Sequence, residues 1–157
     1  ASNLAFATTA MRLAMIVGTF AYGPMDRIFG TRKWIIFIGS SVSLVSLISL
    51  ALFNEISFNV AVFLFCTLGF FGMSYPLMIA HGRSFSPENL TGRCVTLLNM
   101  IAIGGGGIFQ FVTGRIFSKI TEVHNNNHEA YTIIFLFYAS ALFLGLILYL
   151  KSKDRLD

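Results

Sequence analysis

Charge is what this chain most lacks. Of 157 residues only 7 are acidic and 11 basic, 11% in all, where a soluble domain carries about 25%. That is too little to cover a water-facing surface, so the solvent implied is lipid. Cysteine is scarce as well. Cys66 and Cys94 stand far apart, with no CxxC pair and no neighbouring His pair, which leaves metal and redox chemistry without support. No HExxH spacing, Ser/His arrangement or paired aspartates appear, so neither an enzyme, a cofactor nor a metal site is expected, and His81, His124 and His128 are read as lying in or beside loops. The run Gly104–Gly107 is followed by neither lysine nor hydroxyl, which argues against a phosphate loop. All seven acidic residues fall outside the apolar runs, so no obvious proton-coupling carboxylate lies within a span. The net charge of +4 sits between apolar runs, where it encodes orientation, and no nucleic-acid partner is expected.

What is present is apolar length. Hydrophobic residues make up 55% of the chain, 17 of them Phe, and mean hydropathy is +0.75. Runs of about 20 apolar residues divide it into five spans, at 3–23, 34–53, 56–80, 94–114 and 131–150. Alternation of period two is absent, and the runs exceed the ~9–11 residues of a barrel strand. An all-α membrane bundle over residues 1–150 follows, with 151–157 as a short tail. Arg27, Arg32, Lys33, Arg83, Arg93, Lys151, Lys153 and Arg155 fall on one side of these spans, and only Arg115 and Lys119, read as part of a loop through "HNNNHEA", on the other. The positive-inside bias puts the first group in the cytoplasm and the N-terminus outside. Asn89-Leu90-Thr91 is then a cytoplasmic, unglycosylated sequon. The membrane expected is the plasma membrane, or the inner membrane of a bacterium.

Local signals refine the spans. Residues 54–57 read as a tight outer turn, and the Asn125–Asn127 run as a solvated loop. Ser86 and Pro87 read as an N-cap and first helical position. Trp34, Tyr131 and Tyr149 suit interfacial depth. Pro76, with Gly72 a turn earlier, predicts a kink that serves as a hinge or as passive packing. Gly39, Ser43 and Ser46, and Ala141 with Gly145, form small faces that suit close helix packing. The run Gly104, Gly105, Gly106 and Gly107 permits close approach or marks a bend. The chain has no initiating Met and no signal-peptide pattern, which reads as a piece of a longer protein.

Two polar stripes stand out inside the spans. Arg12 lies ~16 Å along the helix from Gly23, and Ala5, Thr8, Thr19 and Gly23 share its face. It is read as an anion or substrate site, as half of a buried charge pair, or as a residue that snorkels outward. Asn99, Gly106, Gln110 and Thr113 share one face of the fourth span. The amides of Asn99 and Gln110 either line a cavity or form interhelical hydrogen bonds.

The stretch "YGPMDRIFGTRK" (22–33) concentrates charge between glycines. Its residues Gly23, Asp26, Arg27, Gly30, Arg32 and Lys33 resemble the signature loop of the major facilitator superfamily, with Asp26-Arg27 one residue early. The resemblance extends through residues 1–150, and "GRSFSPENLTGRCVTLLNMIAIGGGGIFQFVTGRIF" looks like the family's tenth-to-eleventh helix region. It implies helices eight to twelve of a twelve-helix secondary active transporter working by alternating access on a small solute. The missing N-terminal half and the lipid bilayer would be its partners, and the loop a charge network that latches one conformation. The alternative is a non-transporting membrane scaffold, or a degenerate remnant of a split gene.

Overall fold

The computed structural model describes residues 2–53, 56–124 and 127–156. Six α-helices account for nearly all of them: α1 (Ser2–Phe29), α2 (Lys33–Leu52), α3 (Phe58–Gly72), α4 (Tyr75–Arg83), α5 (Thr91–His124) and α6 (Asn127–Leu150). No strand occurs among the described residues. With α3 and α4 taken as one broken span, five helical segments are long and apolar enough to cross a membrane. The protein is therefore an all-helical membrane protein. Asn54 and Glu55 of the expected outer turn, and Asn125 and Asn126 of the expected loop, lie outside the described residues.

The break between α3 and α4 follows from one missing hydrogen. Pro76 has no N–H to offer the Gly72 carbonyl, so the i→i−4 ladder cannot continue. The chain tightens instead, with Met73 N–H donating to Phe70 O (3.2 Å) and Ser74 N–H to Phe71 O (3.3 Å). The ladder restarts when Met78 N–H reaches Ser74 O at 3.0 Å. The expected kink is thus a full interruption. A Cβ at Gly72 would meet nothing within 4 Å, so this glycine is not a packing contact.

Pro24 behaves differently. It lies inside α1, which continues to Phe29. Only the Phe20 carbonyl loses its donor there, and the remaining turns hold. The charged stretch is accordingly mostly helix, and only Gly30, Thr31 and Arg32 join α1 to α2. Gly30 ends α1 at φ +63°, its N–H donating to Asp26 O at 3.0 Å. This is the left-handed C-terminal cap that glycine adopts without strain.

Two further boundaries differ from the sequence expectation. The fourth span extends as helix to His124, so Arg115 and Lys119 ride on its last turns and not in a loop. Ser86 does not cap a helix. Pro87 takes the cap position, a single 3-10 turn follows over Glu88–Leu90, and no side chain caps it.

Lipid offers no hydrophobic reason for helices to associate, so small residues that let backbones approach decide which helices touch. On α1 and α3 the decisive pair is Gly18 and Gly69. A Cβ on Gly18 would sit 2.5 Å from the Phe70 carbonyl oxygen, and one on Gly69 2.9 Å from that of Met11. On α2 the buried residues Ile36, Gly39, Ser43, Ser46 and Ala51 form one face, which packs against α3 and α6. The small face expected there is present. The expected Ala141/Gly145 face is not a seam within this chain: Gly145 is exposed with open space around it, and α6 buries Ala130, Ala139 and Leu146 instead.

The resulting order is α1 against α3, α3 against α2, α2 against α6 and α6 against α5, with α4 closing onto α5. Rings fasten the α5–α6 seam, Phe109 lying 5.3 Å from Phe137 and Phe117 5.3 Å from Tyr131. A small core of Tyr22, Ile36 and Leu77 sits where α1, α2 and α4 converge. The helices least buried in this bundle are α1 and α5.

Candidate functional site

The richest polar geometry lies at that converging end, where the α1–α2 junction, the end of α4 and the tail after α6 meet. Helix α2 begins at Lys33 behind Arg32, whose side chain makes no capping hydrogen bond. Its first N–H groups would be left without acceptors. Asp154, more than a hundred residues away, supplies them. Its Oδ1 accepts from the Arg32 N–H at 3.2 Å and the Lys33 N–H at 3.0 Å, while Oδ2 accepts from the Thr31 hydroxyl. A carboxylate at a helix N-terminus also faces the positive end of the helix dipole.

Arg32 joins three segments. Its Nε donates to Asp26 Oδ2 at 3.0 Å, an ion pair whose side chains are 10% and 14% exposed, and Nη1 donates to the Leu156 carbonyl. Lys33 Nζ donates to Leu150 O at 2.8 Å. The tail is therefore docked along residues 150–156. On its other flank lies His81, expected beside a loop but found in α4 at 2% exposure. A carbonyl only accepts, so His81 Nε2 carries the proton it gives to Lys153 O at 3.0 Å. Nδ1 then accepts from the Tyr149 hydroxyl at 2.7 Å. Arg155 lies over the Phe85 ring, 5.0 Å from its centroid.

Burial pushes the Asp154 carboxyl up, but hydrogen bonds from the Thr31 hydroxyl and the Lys33 and Arg32 amides outweigh it. The net direction is below the ordinary aspartate value of 3.8, so the ionised, capping form is favoured.

Comparison with known proteins returns no match. No family model, no curated protein and no solved structure is similar to this chain.

The expected latch residues thus divide. Asp26 pairs with Arg32, Gly30 shapes the turn and Lys33 holds the α6 terminus, while Arg27 stays exposed on α1. Gly23 has nothing within 4 Å of an added Cβ, so it makes no helix contact here. The residues the sequence did not single out are Asp154, Thr31, His81 and Tyr149. Their one local signal is the start of α2, where Arg32 offers no side-chain cap and Thr31 Oγ1 accepts from the Trp34 N–H at a long 3.4 Å.

The expected cavity residues are not brought together. Arg12 is exposed on α1, and no hydrogen bond or ion pair engages it among the described residues. The Thr8 hydroxyl bonds back to Leu4 O and Ala5 O, and that of Thr19 to Met15 O. Asn99 Oδ1 accepts from the Tyr75 hydroxyl, tying α5 to α4. Gln110 is exposed on α5, and Thr113 is buried and bonded back to Phe109 O. Gly104, Gly105, Gly106 and Gly107 lie within one continuous helix and meet no neighbour within 4 Å. Within this chain they form no seam.

Proposed function

We propose that the chain forms part of a secondary active transporter of the major facilitator type, and that the laced end is its conformational latch at the cytoplasmic face. The observation that carries this is Arg32, held at once by Asp26 of α1 and by the tail carbonyl of Leu156. Helices α1, α2 and α6 cannot separate at this end without breaking it. The magnitudes suit a switch. A helix cap contributes about 1 kcal/mol, and a partly buried ion pair adds a similar amount after solvent screening. A two-state transporter needs a gap of a few kcal/mol, small enough for a ligand to reverse.

Two features support the rest. The α1 and α5 faces that carry Arg12, Thr8, Thr19 and Gln110 are exposed in this bundle, as helices lining a path toward a second helical bundle would be. Arg93 and Arg115 lie 22 residues apart on α5, roughly 33 Å along the helix. The basic clusters therefore straddle a hydrocarbon layer of ~30 Å, with the richer one at the latch end. By the positive-inside bias that end is cytoplasmic.

The test is flux. The protein, alone and co-expressed with the N-terminal helical bundle that this reading requires, is reconstituted in liposomes and screened against sugars, amino acids, organic ions and amphiphilic drugs. Saturable uptake by the pair, lost in Arg12→Ala, supports transport. Stable assembly of the two bundles with no flux for any solute class supports a scaffold instead.

A further inference from the structure

The latch residues Asp26, Arg32 and Leu156 form part of the wall of a cavity of about 710 Å³. Its walls carry three guanidinium groups, Arg27, Arg32 and Arg83, against one carboxylate, Asp26. Asp26 is already neutralised by Arg32 at 3.0 Å. Arg27 and Arg83 are exposed, and no ion pair engages either among the described residues. They come from different helices, α1 and α4, and face a common space. Gly23 and Gly30 also line it, and a Cβ on either would meet nothing within 4 Å.

The depth of this cavity matters as much as its charge. It is lined by the last turns of α1 and α4, at the ends of two membrane-spanning segments, together with the α1–α2 junction and Leu156 of the tail. Trp34, half exposed at the start of α2, suits interfacial depth at this end of the bundle. An unpaired guanidinium presents a planar fork of donors that matches phosphate oxygens. Basic pockets between helices at this depth suit phosphorylated headgroups.

We propose that this cavity binds a phosphate-bearing anion, clamped between Arg27 and Arg83, and so bridges the ends of α1 and α4. The site stands whether or not the chain transports a solute. The phosphate belongs either to an anionic phospholipid of the adjoining leaflet or to a soluble phosphoanion, and one experiment separates the two.

Purified full-chain protein is placed in nanodiscs of equal phosphatidylglycerol and phosphatidylcholine, and the retained lipids are counted by native mass spectrometry. In parallel, inorganic phosphate is titrated in phosphatidylcholine nanodiscs while thermal stability is followed. Enrichment of phosphatidylglycerol identifies the lipid as the source, and stabilisation by phosphate alone identifies the soluble anion. In either arm, Arg27→Gln with Arg83→Gln lowers the preference by about fivefold per arginine. Arg93→Gln, a basic residue outside the cavity, leaves it unchanged. Gly23→Met adds bulk on the cavity wall without altering charge, from a Cβ position that meets nothing within 4 Å, and also lowers binding. The proposal is overturned if neither arm shows binding, if the double variant binds as wild type does, or if Arg93→Gln is equally damaging.

Discussion

Replacing Asp154 by Ala tests whether the tail truly caps α2. The carboxylate accepts from two backbone N–H groups, at 3.0 and 3.2 Å, and from the Thr31 hydroxyl. Loss of such a cap costs about 1 kcal/mol, and loss of a charge at the helix N-terminus about 0.3–1 kcal/mol. Asp154 is exposed, so screening keeps the electrostatic share at the low end. The sum, about 1–2 kcal/mol, corresponds to roughly a tenfold rise in local opening. Hydrogen–deuterium exchange at the Arg32 and Lys33 amides reads that opening directly. Asp154→Asn keeps an acceptor at the cap and is expected to lose less than half as much. The pH dependence has a definite sign. The folded-state carboxyl lies below 3.8, so the docked tail is fully stabilised above that value. The contribution is lost as pH falls through the lower, folded value. A spin label at Lys151→Cys should therefore stay immobilised from neutral pH to about pH 4 and loosen below it. Unchanged exchange at Arg32 and Lys33 in Asp154→Ala would refute the cap.

On the proposed latch reading, Asp26→Asn should shift the conformational equilibrium by about 1 kcal/mol, the value of the partly buried pair with Arg32 after screening, without altering substrate contacts. Double electron–electron resonance distances between the ends of α1 and α6 that match wild type would remove Asp26 from the latch. Gly18→Ala places a methyl against the Phe70 carbonyl and should destabilise the α1–α3 seam by about 1–3 kcal/mol. Gly104→Ala meets nothing, so unfolding titrations in detergent should show it neutral or slightly stabilising. Equal effects of the two would contradict the assigned seam. On the proposed transport reading, Arg12→Ala should nearly abolish uptake while leaving expression intact, and Arg12→Lys should weaken it, because a lysine keeps the charge but not the fork. Wild-type kinetics in Arg12→Ala would leave Arg12 as a snorkelling residue. Cysteines at Ser86 and Ser118 should label from opposite sides of the membrane, and labelling from one side would overturn the orientation.

Hydropathy and proline chemistry are local, and what depends on them was legible in the sequence. Five spans follow from apolar runs long enough for lipid. The interruption after Gly72 follows from the hydrogen that Pro76 lacks, and the turn at Gly30 from a backbone without Cβ. The segregation of Arg27, Lys33, Arg83 and Lys153 from Arg115 and Lys119 needs only the count of crossings between them. Boundaries were less legible. Apolar length reports where lipid is, whereas the hydrogen-bond ladder continues through Asp26 and Arg27 on α1 and through Lys119 on α5, because a helix does not end where the lipid does and Arg and Lys are good helix formers. The cap of α2 could not be read at all. Nothing near Asp154 in "KSKDRLD" distinguishes it from a solvated tail, since its acceptor role depends on α6 ending beside the start of α2. His81 is the same case, polar in sequence and buried only because the tail folds across it. Composition and periodicity determined that this chain crosses a membrane as helices. Tertiary packing through Gly18, Gly69 and the α2 small face decided which helix ends meet, and therefore which charges could find one another.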